Sequence, residues 1–364
     1  WFKIDRMLDK ILSASFRNEV LDDYQNGWVF SWHCVDHVGF IDNPRNKEIG
    51  YGKIFDFYKK KLKISGSIND EINWHFHPLA ISRKSTHCAT SFTNSYEVLN
   101  QIICRRILDY AWFPVVNRPG FHSIRPDSHL FLEQWIPFDY GNQYDDVPND
   151  QPDLNYGRLG DWSRAPSSWG GYNPHHDDYQ KKGECRRTIF RTMNIGTRIR
   201  NLSEKHIREA FEEAKNNNSA ILAFCNHDYR DMEKDIREIR KKIFDIGRQY
   251  SDVNIKFSGA GEAARDHLGF NEFEDLELKL EIINNRIFVK VIKGEVFGPQ
   301  PFLAIKSKKS QYFHDNFDEI EKGKKWTYVF DDQTLIMNEI AEIGVGAAGK
   351  HGNYFVTSKK FNQL

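Results

Sequence analysis

Two histidines two residues apart, in the segment Ile72-Asn73-Trp74-His75-Phe76-His77-Pro78, are the side chains of this 364-residue chain best suited to chemistry. On a β-strand, side chains repeat every second residue, so His75 and His77 share a face with Cα atoms about 6.5–7 Å apart. Neutral imidazole nitrogens hold zinc at about 2.0–2.1 Å, and two rings leaning from one strand reach a common ion. The same spacing also suits two hydrogen-bonded histidines lining an aromatic core. Polar residues follow three other hydrophobic, strand-like segments: His33, Asp36 and His37 in the first, Arg118 after the third, and His227 with Asp228 at the end of AILAFCNHD (220–228). In a parallel α/β sheet or barrel the carboxyl ends of the strands converge on one face, where ligands bind. Residues scattered along the chain then form one constellation, and its chemistry suits a metal-dependent active site.

The elements that must position these residues alternate in type. Residues 1–25 read as helix, and a strand lies in GWVFSWHCVDHVGF (27–40). A basic helical stretch leads to a second strand at 71–78. Leu99, Ile102, Ile103, Ile107 and Leu108 recur at helical spacing within 95–110, and WFPVVNRPGF (112–121) supplies a third strand. A helix starts after Ser203, with His206 at its third position, so the reciprocal half of a capping box is missing. After the strand at 220–228, Met232, Ile236, Ile239, Ile243 and Ile246 mark a helix over 230–250, and VNIKFSGAGEAARDHLG supplies a last strand and helix. Strand–helix alternation predicts an α/β fold with parallel strands and helical crossovers over residues 1–270. Beyond about residue 272, apolar and polar residues alternate around Asn284-Asn285, a hairpin signal, so residues 271–364 are expected to form a β-rich, sandwich-like accessory domain.

Composition narrows the partners. Lysine plus arginine and aspartate plus glutamate each number 51, so no global field attracts nucleic acid or an anionic membrane. Five widely spaced cysteines without a CxxC pair argue against a disulfide framework or zinc knuckle. No apolar run approaches the roughly 20 residues of a membrane span, and the cytoplasm is the expected location. From about 137 to 185 the chain reads as one long loop rich in Asp, Asn, Gly, Pro and Tyr. Such loops are commonly lids or binding loops, and this one is expected to border the substrate cleft.

The order of these features resembles the polysaccharide deacetylase family over about residues 25–265. That resemblance implies an irregular (β/α) barrel, a divalent metal (zinc, with cobalt or nickel as alternatives), and a hydrolase that removes an N-acetyl group from an amino sugar in a polysaccharide or its precursor. Asp36 matches the carboxylate motif, His75 the first metal ligand, Arg118 the arginine that orients the base, and His227 the general acid. The chain departs from the pattern by reading Val35-Asp36-His37 where the family has two adjacent acids, which leaves Asp36 open as base or ligand and His37 as a replacement ligand. Its histidine pair is spaced two apart rather than four, like divergent members with an HxHP sequence, and His87 is a reserve ligand. The implied metal set is Asp36, His37, His75 and His77. The implied catalytic set is Asp36, Arg118, His227 and, if Asp36 binds metal, Asp228 as base. Trp162, Trp169 and Tyr172 in the long loop are candidate sugar-stacking faces, with packing onto the barrel as the alternative. Two other readings are a metal-dependent glycosidase with Asp36 and Asp228 as its carboxylates, and a degenerate barrel that binds carbohydrate without catalysis.

Overall fold

The computed structural model describes residues 1–146, 159–197, 199–270, 272 and 274–361. Six parallel strands form one curled sheet, a half-barrel, in the order β1 (Ser31–Val35), β2 (Glu71–His75), β3 (Val116–Asn117), β4 (Phe138–Asn142), β7 (Thr188–Asn194), β8 (Ala223–Cys225). After two N-terminal helices, α1 (Phe2–Ile11) and α2 (Ala14–Arg17), helices α3 (Lys53–Ser65), α4 (Tyr96–Tyr110), α5 (Pro126–Trp135) and α6 (Glu204–Asn217) make the crossovers, while β5 (Pro174–His175) and β6 (Asp178–Lys182) form a small hairpin between β4 and β7. Parallel neighbours need such long connections, and the helices cover the outer face.

Alternation decides which side chains face inward. Trp32 and Cys34 of β1 point outward and join a core with Phe55, Tyr58 and Leu62 of α3, and Trp74 of β2 joins Leu99, Ile102 and Ile103 of α4. Ser31, His33 and Val35 therefore face the inside of the curl, in register with Glu71, Asn73 and His75. The helix ends are set locally. Gly66 closes α3 at φ 64°, a left-handed cap that costs glycine nothing. The start of α6 corrects the sequence expectation: Ser203 Oγ accepts from the His206 N–H, and His206 Nδ1 accepts from the Ser203 N–H, so histidine completes the reciprocal box.

Two further expectations are corrected. The stretch 137–185, expected as loop, contains β4, and β7 follows it; every residue of both strands is buried. Polar residues on their helix-facing side (Asp139, Arg187 and Arg191 lie in or beside them) hid the hydrophobic signal of a strand. VNIKF, in turn, is not a strand of the sheet. Its amides are held by carboxylates of the N-terminal segment, Ile255 N–H to Asp23 Oδ2 at 2.6 Å and Phe257 N–H to Asp22 Oδ2 at 2.8 Å. A strap thus runs along the side where the half-barrel is open, between β8 and β1.

Residues from Glu277 onward form two four-stranded antiparallel sheets around a common core that includes Leu278, Ile287, Val289, Trp326 and Ile343. The expected hairpin is present: β9 (Glu277–Ile283) and β10 (Arg286–Lys293) pair across the two-residue turn Asn284-Asn285, with Asn284 at φ 54°. These sheets do not stand apart from the half-barrel. Phe302, Ala304 and Ala348 share a core with Ile107 and Phe113, and Gly344 and Gly346 let the sheet approach so closely that a Cβ at either would lie 2.6–2.7 Å from a Leu108 or Phe113 side-chain atom.

One buried carboxylate ties the sheet's entry to the N-terminal helices. Asp70, its side chain fully buried, takes two bonds of 2.7 Å from Arg17 and further bonds from Phe30 N–H at 3.0 Å and Trp32 Nε1–H at 3.3 Å. Asp70→Ala leaves a largely buried guanidinium and two donors unmatched. The expected loss is about 3–5 kcal/mol of unfolding free energy, read from urea denaturation; an unchanged midpoint refutes it.

Candidate active site

A cavity of about 1200 Å³ runs along the open side of the half-barrel, and its upper mouth lies at the carboxyl ends of β1, β2 and β8. The histidine pair sits there. His75 Nδ1 is 2.6 Å from the carbonyl oxygen of Arg118, which only accepts, so Nδ1 carries the proton and Nε2 presents its lone pair. That lone pair lies 3.0 Å from His77 Nε2, with the two rings at 87°. Two nitrogens bound tetrahedrally to one zinc at about 2.0–2.1 Å lie roughly 3.3 Å apart, so the pair needs only a small adjustment to share an ion. A backbone carbonyl fixing the far nitrogen of a metal-binding histidine is the usual outer-shell arrangement.

The sequence builds this corner from Arg118-Pro119-Gly120. Gly120 N–H donates to Phe76 O at 2.9 Å, and a Cβ at position 120 would stand 2.6 Å from His77 Cγ. Only glycine lets the third-strand segment pass under the His77 ring. Burial drives the pKa of His77 down to about 3, with Lys47 and Arg118 adding to the effect, and takes His75 well below its ordinary value, with His77 and Arg118 adding. Both rings are neutral at pH 7 and available as ligands.

Other histidines surround the pair. His33 Nδ1 is 3.2 Å from Trp74 O, and burial lowers its pKa to about 4. His227 lines the mouth, its pKa brought to about 3 by burial and then by Arg118, Arg45 and Lys47; its buried Nδ1 has no hydrogen-bond partner, and neither does that of His37. Asp228 lines the same cavity and accepts a 2.7 Å bond from the Tyr58 hydroxyl. His75, His77, Arg118, His227, Asp228 and His37 are therefore brought together, as the strand-end argument expected.

Four expected roles do not fit their positions. Asp36 is turned away from the cavity into the helix layer, where Arg106 donates to both of its oxygens at 2.8 Å, and both side chains are 2% exposed. It is neither base nor ligand in this arrangement. Burial outweighs the guanidinium and holds its carboxyl up at about 6. Arg118 consequently does not orient Asp36; it donates to His122 Nε2 at 2.7 Å and Cys225 Sγ at 3.0 Å. Trp162, Trp169 and Tyr172 are 1%, 1% and 5% exposed and pack inside the molecule, Trp162 donating to His122 O at 2.8 Å, so their faces are closed to sugar. His87 is exposed and bonded to Ser82.

Sequence reasoning missed His122 and Cys225 as parts of the site, and Arg45 and Lys47 at its rim. His122 was visible only as the residue two beyond Arg-Pro-Gly. Cys225 was visible as the last residue of a strand.

Among the described residues one group of three possible metal ligands is gathered closely, Asp145, Asp146 and His206. Lys205 already sits on Asp146, and His206 Nδ1 is engaged in the α6 cap. Among the described residues the His75–His77 pair has no third ligand gathered beside it in this way. No helix among the described residues is long and apolar enough to cross a membrane.

No protein-family model, curated protein or solved structure matches this chain. The site therefore has to be read from its own chemistry.

Two outcomes test this geometry. Asp36→Ala is expected to cost about 3–5 kcal/mol in urea denaturation, because it strands Arg106, and Asp36→Leu combined with Arg106→Met recovers most of that loss; a normal denaturation curve with altered metal content would point to a ligand instead. The second concerns acid. The folded chain keeps His33, His75, His77, His122 and His227 neutral, whereas the unfolded chain protonates them near pH 6.5. The unfolded state thus binds more protons below that pH, and stability falls as pH drops, by roughly 1 kcal/mol per histidine between pH 7 and 5.5. Thermal midpoints measured across that range, with His33→Gln flattening the slope, check the sign.

Proposed function

We propose that this chain is a metal-dependent hydrolase that removes an N-acetyl or related acyl group from an amino sugar in a polysaccharide or its precursor. The observation that carries the reading is the convergence of His75 Nε2 and His77 Nε2 to 3.0 Å, one of them with its tautomer fixed by a backbone carbonyl, at the carboxyl ends of parallel strands. The substrate class rests on the resemblance to polysaccharide deacetylases. Zinc, cobalt or nickel held by this pair would polarise an amide carbonyl and acidify a water.

The chain's own groups supply the proton transfers. Asp228 is the carboxylate at the mouth of the cavity, and the Tyr58 hydroxyl holds it in place, so it is the base of this proposal in preference to Asp36. His227 rests neutral. It must first take up a proton, the one that Asp228 removes from the attacking water, before giving it to the departing amine, which makes it an acceptor and then an acid within one turnover.

A second reading, a barrel that binds carbohydrate without catalysis, is favoured by one observation: the motif carboxylate, Asp36, is committed to Arg106. The same fact weakens the glycosidase reading, since Asp228 then faces the cavity without Asp36 as its counterpart.

Metal content and acetate release from a panel of N-acetylated saccharides decide between them. The wild type is expected to carry stoichiometric metal and release acetate, His75→Ala to lose both, and His227→Ala to keep the metal while turning over about 10²–10⁴-fold more slowly. Equal release by all three rejects the site. A metal-free protein that zinc, cobalt and nickel all fail to reconstitute supports the non-catalytic reading.

A further inference from the structure

Five arginines are buried among the described residues: Arg106, Arg118, Arg187, Arg191 and Arg240. Four of them have carboxylates, Arg106 with Asp36, Arg187 with Asp139, Arg191 with Glu209 and Arg240 with Glu19. Arg118, 7% exposed, has none. Its bonds go to His122 and Cys225, and its Nε is buried with no partner at all. A guanidinium taken out of water is costly unless an anion balances it, and the histidines around it are neutral.

The imbalance extends to the rim. Arg45 and Lys47, on the loop after β1, line the same mouth of the cavity; Arg45 lies 4.4 Å over the Tyr229 ring, and no carboxylate pairs with either among the described residues. Burial and the neighbouring Arg45 lower the pKa of Lys47. At the other end of the cavity the charges match, with Lys215 on Asp252 and Lys256 on Asp266. Only the mouth, with three cations facing the single carboxylate of Asp228, lacks negative charge.

We propose that the mouth of this cavity binds an anionic group, a phosphate or a carboxylate carried by the substrate, seated against Arg118 and approached by Lys47 and Arg45. This rests on the cavity being the substrate site, and it narrows the substrate to saccharides bearing a negative charge. Arg118 Nη2 already serves His122 and Cys225, so the oxyanion meets the remaining N–H groups of the guanidinium through charge-assisted bonds that suit phosphate and carboxylate alike.

Calorimetric titration of the full chain with inorganic phosphate, glucose 6-phosphate, glucuronate and glucose tests the assignment. Glucose 6-phosphate or glucuronate is expected to bind at least about tenfold more tightly than glucose, and to weaken as salt rises. The stronger of the two identifies phosphate or carboxylate as the source. Lys47→Ala and Arg45→Ala are each expected to weaken anion binding several-fold, and Arg118→Gln to abolish it, while Lys241→Ala on the remote α7 (Met232–Gly247) changes nothing. If Arg118→Gln fails to fold, the two rim variants still decide. Glucose binding as tightly as the anions, no binding by any probe, or anion binding indifferent to Lys47 and Arg45 overturns the proposal. Acetate release with no preference for charged saccharides sinks this inference and leaves the hydrolase. Tight anion binding without acetate release does the reverse.

Discussion

The bond between His75 Nδ1 and the carbonyl oxygen of Arg118 is the contact on which the site depends. It joins β2 to the segment that leaves β3, and the same seam is stitched by Arg118 N–H to Trp74 O at 3.1 Å and Gly120 N–H to Phe76 O at 2.9 Å. Several properties follow from that one alignment. The tautomer of His75 is fixed with its lone pair inward. His77 is held over a glycine that leaves room for its ring. The Arg118 side chain, starting from the same residue, is carried into the cavity. A backbone seam is a rigid way to hold imidazoles, because it does not rely on long side chains losing rotamer freedom.

Buried polar bonds on the two faces of the sheet explain why such rigidity is available. Asn117 donates to Asp139 at 3.1 Å, Arg187 lies 3.4 Å from the same carboxylate, and Glu71 receives the Gly261 and Glu262 N–H groups at the start of α8 (Ala260–His267). Buried polar groups are tolerable when matched, and both carboxylates, Asp139 and Glu71, are. They also lock the curl of the sheet, since each links strands or elements distant in sequence. The unmatched atoms that bear on function gather at the mouth, on His37, Arg118, His122 and His227. Other buried atoms, on Arg106, Arg187 and Arg240 among them, also lack partners, but those arginines have carboxylates, whereas the four residues at the mouth have none.

Much of this was legible in the sequence. The strands carrying His33, His75 and His227 announced themselves through aromatic and aliphatic residues, and their shared polar ends placed His75, His77, Arg118, His227 and Asp228 in one cavity before any coordinates. The hairpin at Asn284-Asn285 was equally plain. What failed to show was anything whose partner lies far along the chain. Asp36 reads as a strand-end acid; only the packing of α4 reveals that Arg106, seventy residues on, removes it from the cavity. β4 and β7 were hidden because Asp139, Arg187 and Arg191 break the apolar pattern, and they are tolerated in buried strands only because their counter-charges come from elsewhere. Trp162 and Trp169 look like sugar platforms in a glycine-rich loop, yet that loop folds back into the core and hides both rings.

The displaced carboxylate and the unbalanced cations belong to one charge balance. Asp36 is withdrawn to Arg106, so the mouth holds Arg118, Arg45 and Lys47 around histidines that burial keeps uncharged. A divalent ion on His75 and His77 would add to that positive field, in a partly desolvated pocket where screening by water is weak. Neutral imidazoles ligate but do not compensate. On the proposed reading the balancing charge would come from what binds there, and an anionic substrate would raise the affinity for metal as the metal raises the affinity for the anion, since coupling between two sites is reciprocal. On the proposed reading, the pairing of Asp36 with Arg106 and the charge of the substrate would be two parts of one balance.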